Sequence, residues 1–191
     1  MNNRGFTLIE LIIVISIIGI LVIALGFSFQ GWIGGYKVES QIKEMYVDLM
    51  NARARAMERN RMHFVGLVTT QYTVQEDISP WPDGDGLLTA ADNTRPTGYT
   101  DPIPLLQKNL DSRYPITWSD IADLQIDFTK KGLSTDNKTI CIFTDFDGDK
   151  KSDYNPDYDC IVISSTRINT GELKKQDTDG GTCISDNCVA K

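Results

Sequence analysis

Three groups of residues in this chain have types and spacings that could do chemistry. The densest is the string DFDGDKKSD, which sets Asp145, Asp147, Asp149 and Asp153 at its first, third, fifth and ninth places. Alternate carboxylates in a tight turn offer several oxygen donors at once, which suits calcium and its about six to eight oxygen ligands. The backbone carbonyl of Lys151, at the seventh place, adds a donor, and Asp157 and Asp159 stand nearby in sequence. Pro156 stands where an EF-hand has its bidentate Glu, so the string is no EF-hand. The alternative is an acidic hairpin turn without a cation, since Asp and Gly favour turns on their own account.

The second group is Cys141, Cys160, Cys183 and Cys188, an even set confined to the last third of the chain. In an exported domain that pattern predicts two disulfides. The expected pairs are the local ones, Cys141–Cys160 and Cys183–Cys188. A zinc site is disfavoured, because there is no CxxC pair and the single histidine, His63, falls in a strand-like run.

The third is Glu10, a lone carboxylate near the start of MNNRGFTLIELIIVISIIGILVIALGFSF. Leu11 to Phe29 contains no charged residue. That run is longer than the roughly 7–15 apolar residues of a secretory signal, and no small-residue cleavage site follows it. It is long enough for a bilayer core, which takes about 20 residues. Arg4 places the N-terminal side in the cytoplasm and the bulk of the chain outside. An acid at this position is costly unless it is paired or snorkels to the headgroups. A cut after Gly5 would create an α-amino group on Phe6, four residues from Glu10, as a partner.

The string GFTLIE behind a basic leader resembles the signal of type IV pilins and type II secretion pseudopilins. The resemblance covers roughly the first 60 residues. It implies cleavage after Gly5 by a prepilin peptidase, N-methylation of Phe6, and a role for Glu10 in docking to other pilin or pseudopilin subunits. It also implies a single-pass inner-membrane protein, with its head in the periplasm or on the cell surface once assembled. Many major pilins have a Pro late in the apolar helix where this chain has Phe27, which favours a minor subunit. The stretch IDFTKKGL…TICIFTDFDGDKKSDY…CIVISSTRINTGEL is similar to the FimT-like H family of minor pseudopilins.

The elements that would position these groups follow from pattern. Residues 1–5 read as a leader, 6–30 as the apolar helix, 31–61 as its amphipathic continuation and 62–191 as a head. Val38, Ile42, Met45, Leu49, Ala52 and Ala56 recur at helical spacing. Gly31, Gly34 and Gly35 predict a kink or break. Arg53, Arg55, Arg59 and Arg61 read as a solvated helix end that complements the helix dipole, or as contacts to acidic neighbouring subunits in a filament. HFVGLVTT and QYTVQE predict a hairpin, and PITW, LQIDF, TICIFTD and CIVISST further strands. Residues 77–114, crowded with Pro, Gly and Asp, read as one long loop. The expected fold is α+β, a long N-terminal helix packed on an antiparallel sheet or small sandwich.

Composition narrows the function. From Met62 to Lys191 there are twelve Lys/Arg against twenty-one Asp/Glu, a balance of −9. Such a head repels nucleic acid, which counts against the alternative of a filament-tip protein capturing DNA. No nucleophile–base pair, phosphate-binding Gly loop or metal triad is evident, so an enzyme is not expected.

Overall fold

The computed structural model describes residues 7–146, 148, 152–174 and 182–191, and the side chains of 24–30 are not described. Among the described residues one long helix, α1 (Leu8–Arg59), is followed by nine strands. These are β1 (His63–Val68), β2 (Gln71–Glu76), β3 (Leu106–Asn109), β4 (Ile116–Trp118), β5 (Gln125–Phe128), β6 (Lys138–Ile142), β7 (Cys160–Ile163), β8 (Ile168–Leu173) and β9 (Cys188–Ala190). They form two antiparallel sheets, ordered β3-β2-β1-β5 and β4-β6-β7-β8-β9. The fold is α+β, as the sequence implies.

α1 starts at a capping box: Thr7 Oγ1 accepts from the Glu10 amide, and the Glu10 carboxylate accepts from the Thr7 amide. It ends at Asn60, whose left-handed backbone (φ 52°, ψ 40°) closes the last turn onto the Ala56 carbonyl. The helix is continuous between these caps, so the break expected at Gly31, Gly34 and Gly35 does not occur. Packing explains one of these glycines. A Cβ on Gly34 would lie 2.1 Å from Cε1 of Tyr154, whereas one on Gly35 would make only ordinary contact, 3.7 Å from the Pro156 nitrogen. The bare backbone is a slot that lets the segment before β7 lie on the helix.

The expected stripe holds the head. Val38, Ile42, Met45, Leu49, Ala52 and Ala56 are each at most 2% exposed and share one core with residues of both sheets. α1 touches β1 and β5 in the first sheet and β7 and β8 in the second. β6 is buried along its whole length, because both its faces are covered. Ile140 and Ile142 enter the main core, while Cys141 enters a smaller one with Cys160, Leu173 and Cys188. Lys138 is buried by donating to the Asp123 and Gln125 carbonyls while pairing with the Asp123 carboxylate at 2.8 Å.

Residues 77–114 are not one irregular stretch. They hold a 3-10 turn (Ala90–Asn93) and β3, which pairs with β2 as an edge strand. Two aspartates organise the remainder from inside. Asp92, 1% exposed, accepts from the amides of Ile78, Ser79 and Thr89. Asp77, fully buried, accepts from the amides of Asp85 and Gly86. Gly84, with φ +72°, passes so close that a Cβ would strike the Asp77 carboxyl at 2.2 Å. β8 and β9 were not anticipated either. β8 follows β7 after a short turn, and β9 lies in a tail whose composition is polar.

The disulfides join Cys141 to Cys183 and Cys160 to Cys188, with Cα separations of 5.8 and 6.0 Å. The local pairing expected from sequence is therefore wrong. Cys141 and Cys160 are register partners on β6 and β7. The C-terminal segment folds over that face, so each meets a tail cysteine instead of its neighbour. Gly171 permits this approach: a Cβ there would lie 2.4 Å from the Val189 carbonyl oxygen and 3.0 Å from Cys188 Sγ.

Candidate assembly site

The apolar part of α1 has no cover. Leu8, Ile9, Leu11, Ile12, Ile13, Val14, Ile15, Ile17, Ile18, Ile20, Leu21, Val22 and Ile23 are all exposed, on every side of the helix. A helix apolar all round is stable only when something apolar surrounds it. Among the described residues no helix is long and apolar enough to cross a membrane. The reading of residues 6–30 as a spanning segment therefore rests on the sequence alone.

Glu10 sits in the first turn of this cylinder. Its Oε2 accepts from the Thr7 amide at 3.4 Å and the Thr7 hydroxyl at 3.3 Å. These bonds are long and exposed, so the carboxylate is loosely held at the helix N-terminus, where a negative charge is favoured. Gly5 and Phe6 lie outside the described residues. Ser16 returns its hydroxyl to the Ile12 carbonyl at 2.8 Å, which hides its polarity from an apolar setting.

Of the aspartates expected to bind calcium, Asp145 and Asp153 are described, in the connection from β6 to β7. Asp147, Asp149 and Lys151 lie outside the described residues. Asp145 Oδ1 accepts from the Gly148 amide at 2.7 Å, and Asp153 Oδ2 from the Phe146 amide at 2.6 Å. Among the described residues no group of three or more His, Cys, Asp or Glu is arranged to hold a metal.

The basic end of α1 turns out to serve the head. Glu76, at the end of β2, is 3% exposed. It accepts from Arg61 at 2.7 Å, Arg59 at 3.0 Å and the Tyr99 hydroxyl at 2.8 Å. Arg59 also pairs with Asp101. Burial, reinforced by the Glu76 carboxylate, pushes the Tyr99 phenol far above its ordinary range. The Arg61 guanidinium lies 4.3 Å over the Trp81 ring. Arg53 donates to the Thr166 carbonyl at 3.0 Å. This hub clamps 77–101 to the top of the helix. Its sequence signal was weak: a Glu closing a strand, with its arginines on another element.

His63 lies beside the hub, fully buried in β1. Its Nδ1 is 3.3 Å from the Arg61 carbonyl, and its Nε2 has no hydrogen-bond partner. Burial holds its pKa below the ordinary histidine value. Lower on the helix, Tyr72 donates to Asp48 at 2.6 Å and is raised strongly by burial and by that carboxylate.

Residues 1–26 match the sequence family described as "Prokaryotic N-terminal methylation motif". No curated protein matches the chain. Among solved structures it is similar to the minor pseudopilin EpsH from the type 2 secretion system of Vibrio cholerae, at 12% identity and a TM-score of 0.47, covering 70% of this chain and 95% of that one. It is also similar to the type IV minor pilin FimU of Pseudomonas aeruginosa strain PAO1, at 16% identity and a TM-score of 0.47, covering 72% of this chain and 90% of that one. A second crystal form of FimU gives 16% identity and a TM-score of 0.45, with 70% and 91% covered.

Proposed function

We propose that this chain is a minor pilin or pseudopilin: a structural subunit of a type II secretion pseudopilus or type IV pilus, held in the inner membrane until assembled. The observation that carries the reading is the pairing of the N-terminal methylation motif over residues 1–26 with an uncovered apolar cylinder beginning at Leu8. Prepilin peptidase cuts after Gly5, and the new Phe6 amine is methylated. The cylinder is then transferred from lipid to the apolar helices of neighbouring subunits.

Glu10 sets the register of that transfer. In the isolated chain its partners are the loose Thr7 contacts, which a cationic chain end replaces at little cost. A carboxylate among hydrocarbon is costly until it meets a cation, so misregistered neighbours are rejected. Glu10→Ala leaves a cleaved, membrane-held subunit that does not enter filaments. Sheared-filament fractions probed for the subunit check this, and normal incorporation would overturn the docking role. Intact mass of the membrane-extracted chain checks processing. The expected product begins at Phe6 with an added methyl group, and Gly5→Glu retains the leader.

Calcium belongs to the same reading as a structural ion in the β6–β7 connection. Asp145, Asp147, Asp149, Asp153 and the Lys151 carbonyl would hold it. Supporting this are the oxygen-rich donor set in the sequence and the fixing of Asp145 by the Gly148 amide and of Asp153 by the Phe146 amide. Calorimetric titration of the full chain in detergent decides it. Heat and a higher melting temperature are expected at millimolar calcium, and neither appears if the turn is merely acidic.

A further inference from the structure

One aromatic cluster takes no part in processing or docking. Trp32 and Tyr36 are 70% and 64% exposed and stack with ring centroids 6.3 Å apart. They flank Gly34 and Gly35, the first helix residues that the head buries. Phe146, from the β6–β7 connection, comes to the same level. It is 61% exposed, and its ring stands edge-on to Tyr154 at 6.1 Å, while the Tyr154 ring fills the slot at Gly34. Two segments far apart in sequence thus bring three exposed aromatic rings round the base of the head. A groove of 440 Å³ runs between the Trp32–Tyr36 pair and the segment before β7, lined by Trp32, Tyr36, Tyr154 and Pro156 with the carboxylates Asp153 and Asp157, and Phe146 stands outside it.

The level is the informative part. The uncharged run ends at Phe29. At about 1.5 Å per residue, the Cα of Trp32 lies about 4.5 Å beyond it along the axis, that of Gly34 about 7.5 Å and that of Tyr36 about 10.5 Å, with helical side chains leaning back toward the N-terminus. With a hydrocarbon core of about 30 Å, the headgroup layer on each side is about 5–7 Å deep. Trp and Tyr concentrate in that layer because one part of each ring is apolar and another hydrogen-bonds. Ile33, 44% exposed, adds to the apolar surface between the rings.

We infer that Trp32, Tyr36 and Phe146 form a collar that seats the base of the head on the lipid headgroup layer until assembly. The inference rests on the membrane-inserted reading proposed above. Asp145 and Asp153 on that connection disfavour an anionic surface, so the partner is a zwitterionic phospholipid, of the phosphatidylethanolamine kind. Lys37, exposed on the adjoining turn, is placed to meet its phosphate.

The test uses the full chain in phosphatidylethanolamine-rich vesicles whose acyl chains carry bromine near the headgroup end, and reads loss of indole emission. Wild type compared with Trp32→Phe isolates position 32. Trp32→Phe compared with Trp32→Phe/Phe146→Trp isolates position 146, a conservative change at an exposed site. Bromine is expected to quench both positions. If position 32 is quenched and position 146 is not, the helix is inserted but the collar is wrong. If neither is quenched, the membrane reading fails with it. If the indole at 146 is shielded only in assembled filaments, the patch belongs to a neighbouring subunit and the lipid assignment is overturned.

Discussion

At the scale of single residues, the chemistry lies in where charge and bulk are forbidden. Glu76 is a carboxylate out of water, tolerated because two guanidiniums and a phenol reach it. Glu76→Gln leaves Arg61 without its carboxylate and Arg59 with Asp101 alone, and breaking one member of a buried charged group costs up to about 3–5 kcal/mol. Chemical denaturation of the variant checks this, along with increased proteolysis within 77–101. His63 gives the head a pH dependence whose sign follows from burial. Its folded pKa lies below the unfolded value of about 6.5, so the unfolded state takes up the proton first. Stability from this residue is complete above about pH 6.5 and is lost as pH falls from there through the lower folded value. Asp77 and Asp127, raised by burial, act in the opposite sense nearer the carboxylate range. His63→Gln is therefore expected to flatten the fall in melting temperature between pH 7.5 and 5.5. At Gly34 two effects compete. Alanine gains about 1 kcal/mol of helix propensity, but its methyl overlaps the Tyr154 ring, and overpacking costs about 1–3 kcal/mol. Overlap at 2.1 Å decides the sign, so Gly34→Ala lowers the melting temperature. Gly34→Ala/Tyr154→Ala, which removes the obstacle, recovers part of the loss.

At the scale of elements, legibility followed the range of the interactions. The α1 stripe, the β1–β2 hairpin, β4, β5, β6 and β7 could be read because periodicity and β-branched runs are local signals. β3 was hidden by its polar edge sequence, LQKN, and β8 by a central Thr-Gly. β9 is only three residues long, within a polar tail. The long loop could not be parsed because its order comes from Asp77 and Asp92 collecting amides, and a sequence offers no way to tell such an aspartate from a solvated one. The disulfide pairing failed for a related reason: chain proximity suggested local bonds, and only the fold over Gly171 reveals the partners. Peptide mapping without reduction is expected to recover the Cys141–Cys183 and Cys160–Cys188 links. Cys160→Ser/Cys188→Ser is expected to lose about 3–4 kcal/mol from opening a loop of this size. At the N-terminus the methylation motif was legible because it is contiguous, whereas the hub at Glu76 and the slot at Gly34 depend on contacts between distant segments.

At the scale of the molecule, one helix does two jobs along its length. Its upper part is the spine of the head and its lower part is unclothed. The full chain is therefore expected to sediment with membranes and to be released by detergent but not by high salt. Release by salt alone would mean that the cylinder is covered in some other way. The position of the sulfur bridges has a consequence for biogenesis. Each native bond needs a cysteine from the last stretch of the polypeptide. On the proposed route across a membrane, neither bond can close before Cys183 has crossed. Until then the nascent head relies on noncovalent cohesion alone. On that reading oxidation follows the crossing of β9, and a subunit stalled earlier remains unbolted and open to proteolysis.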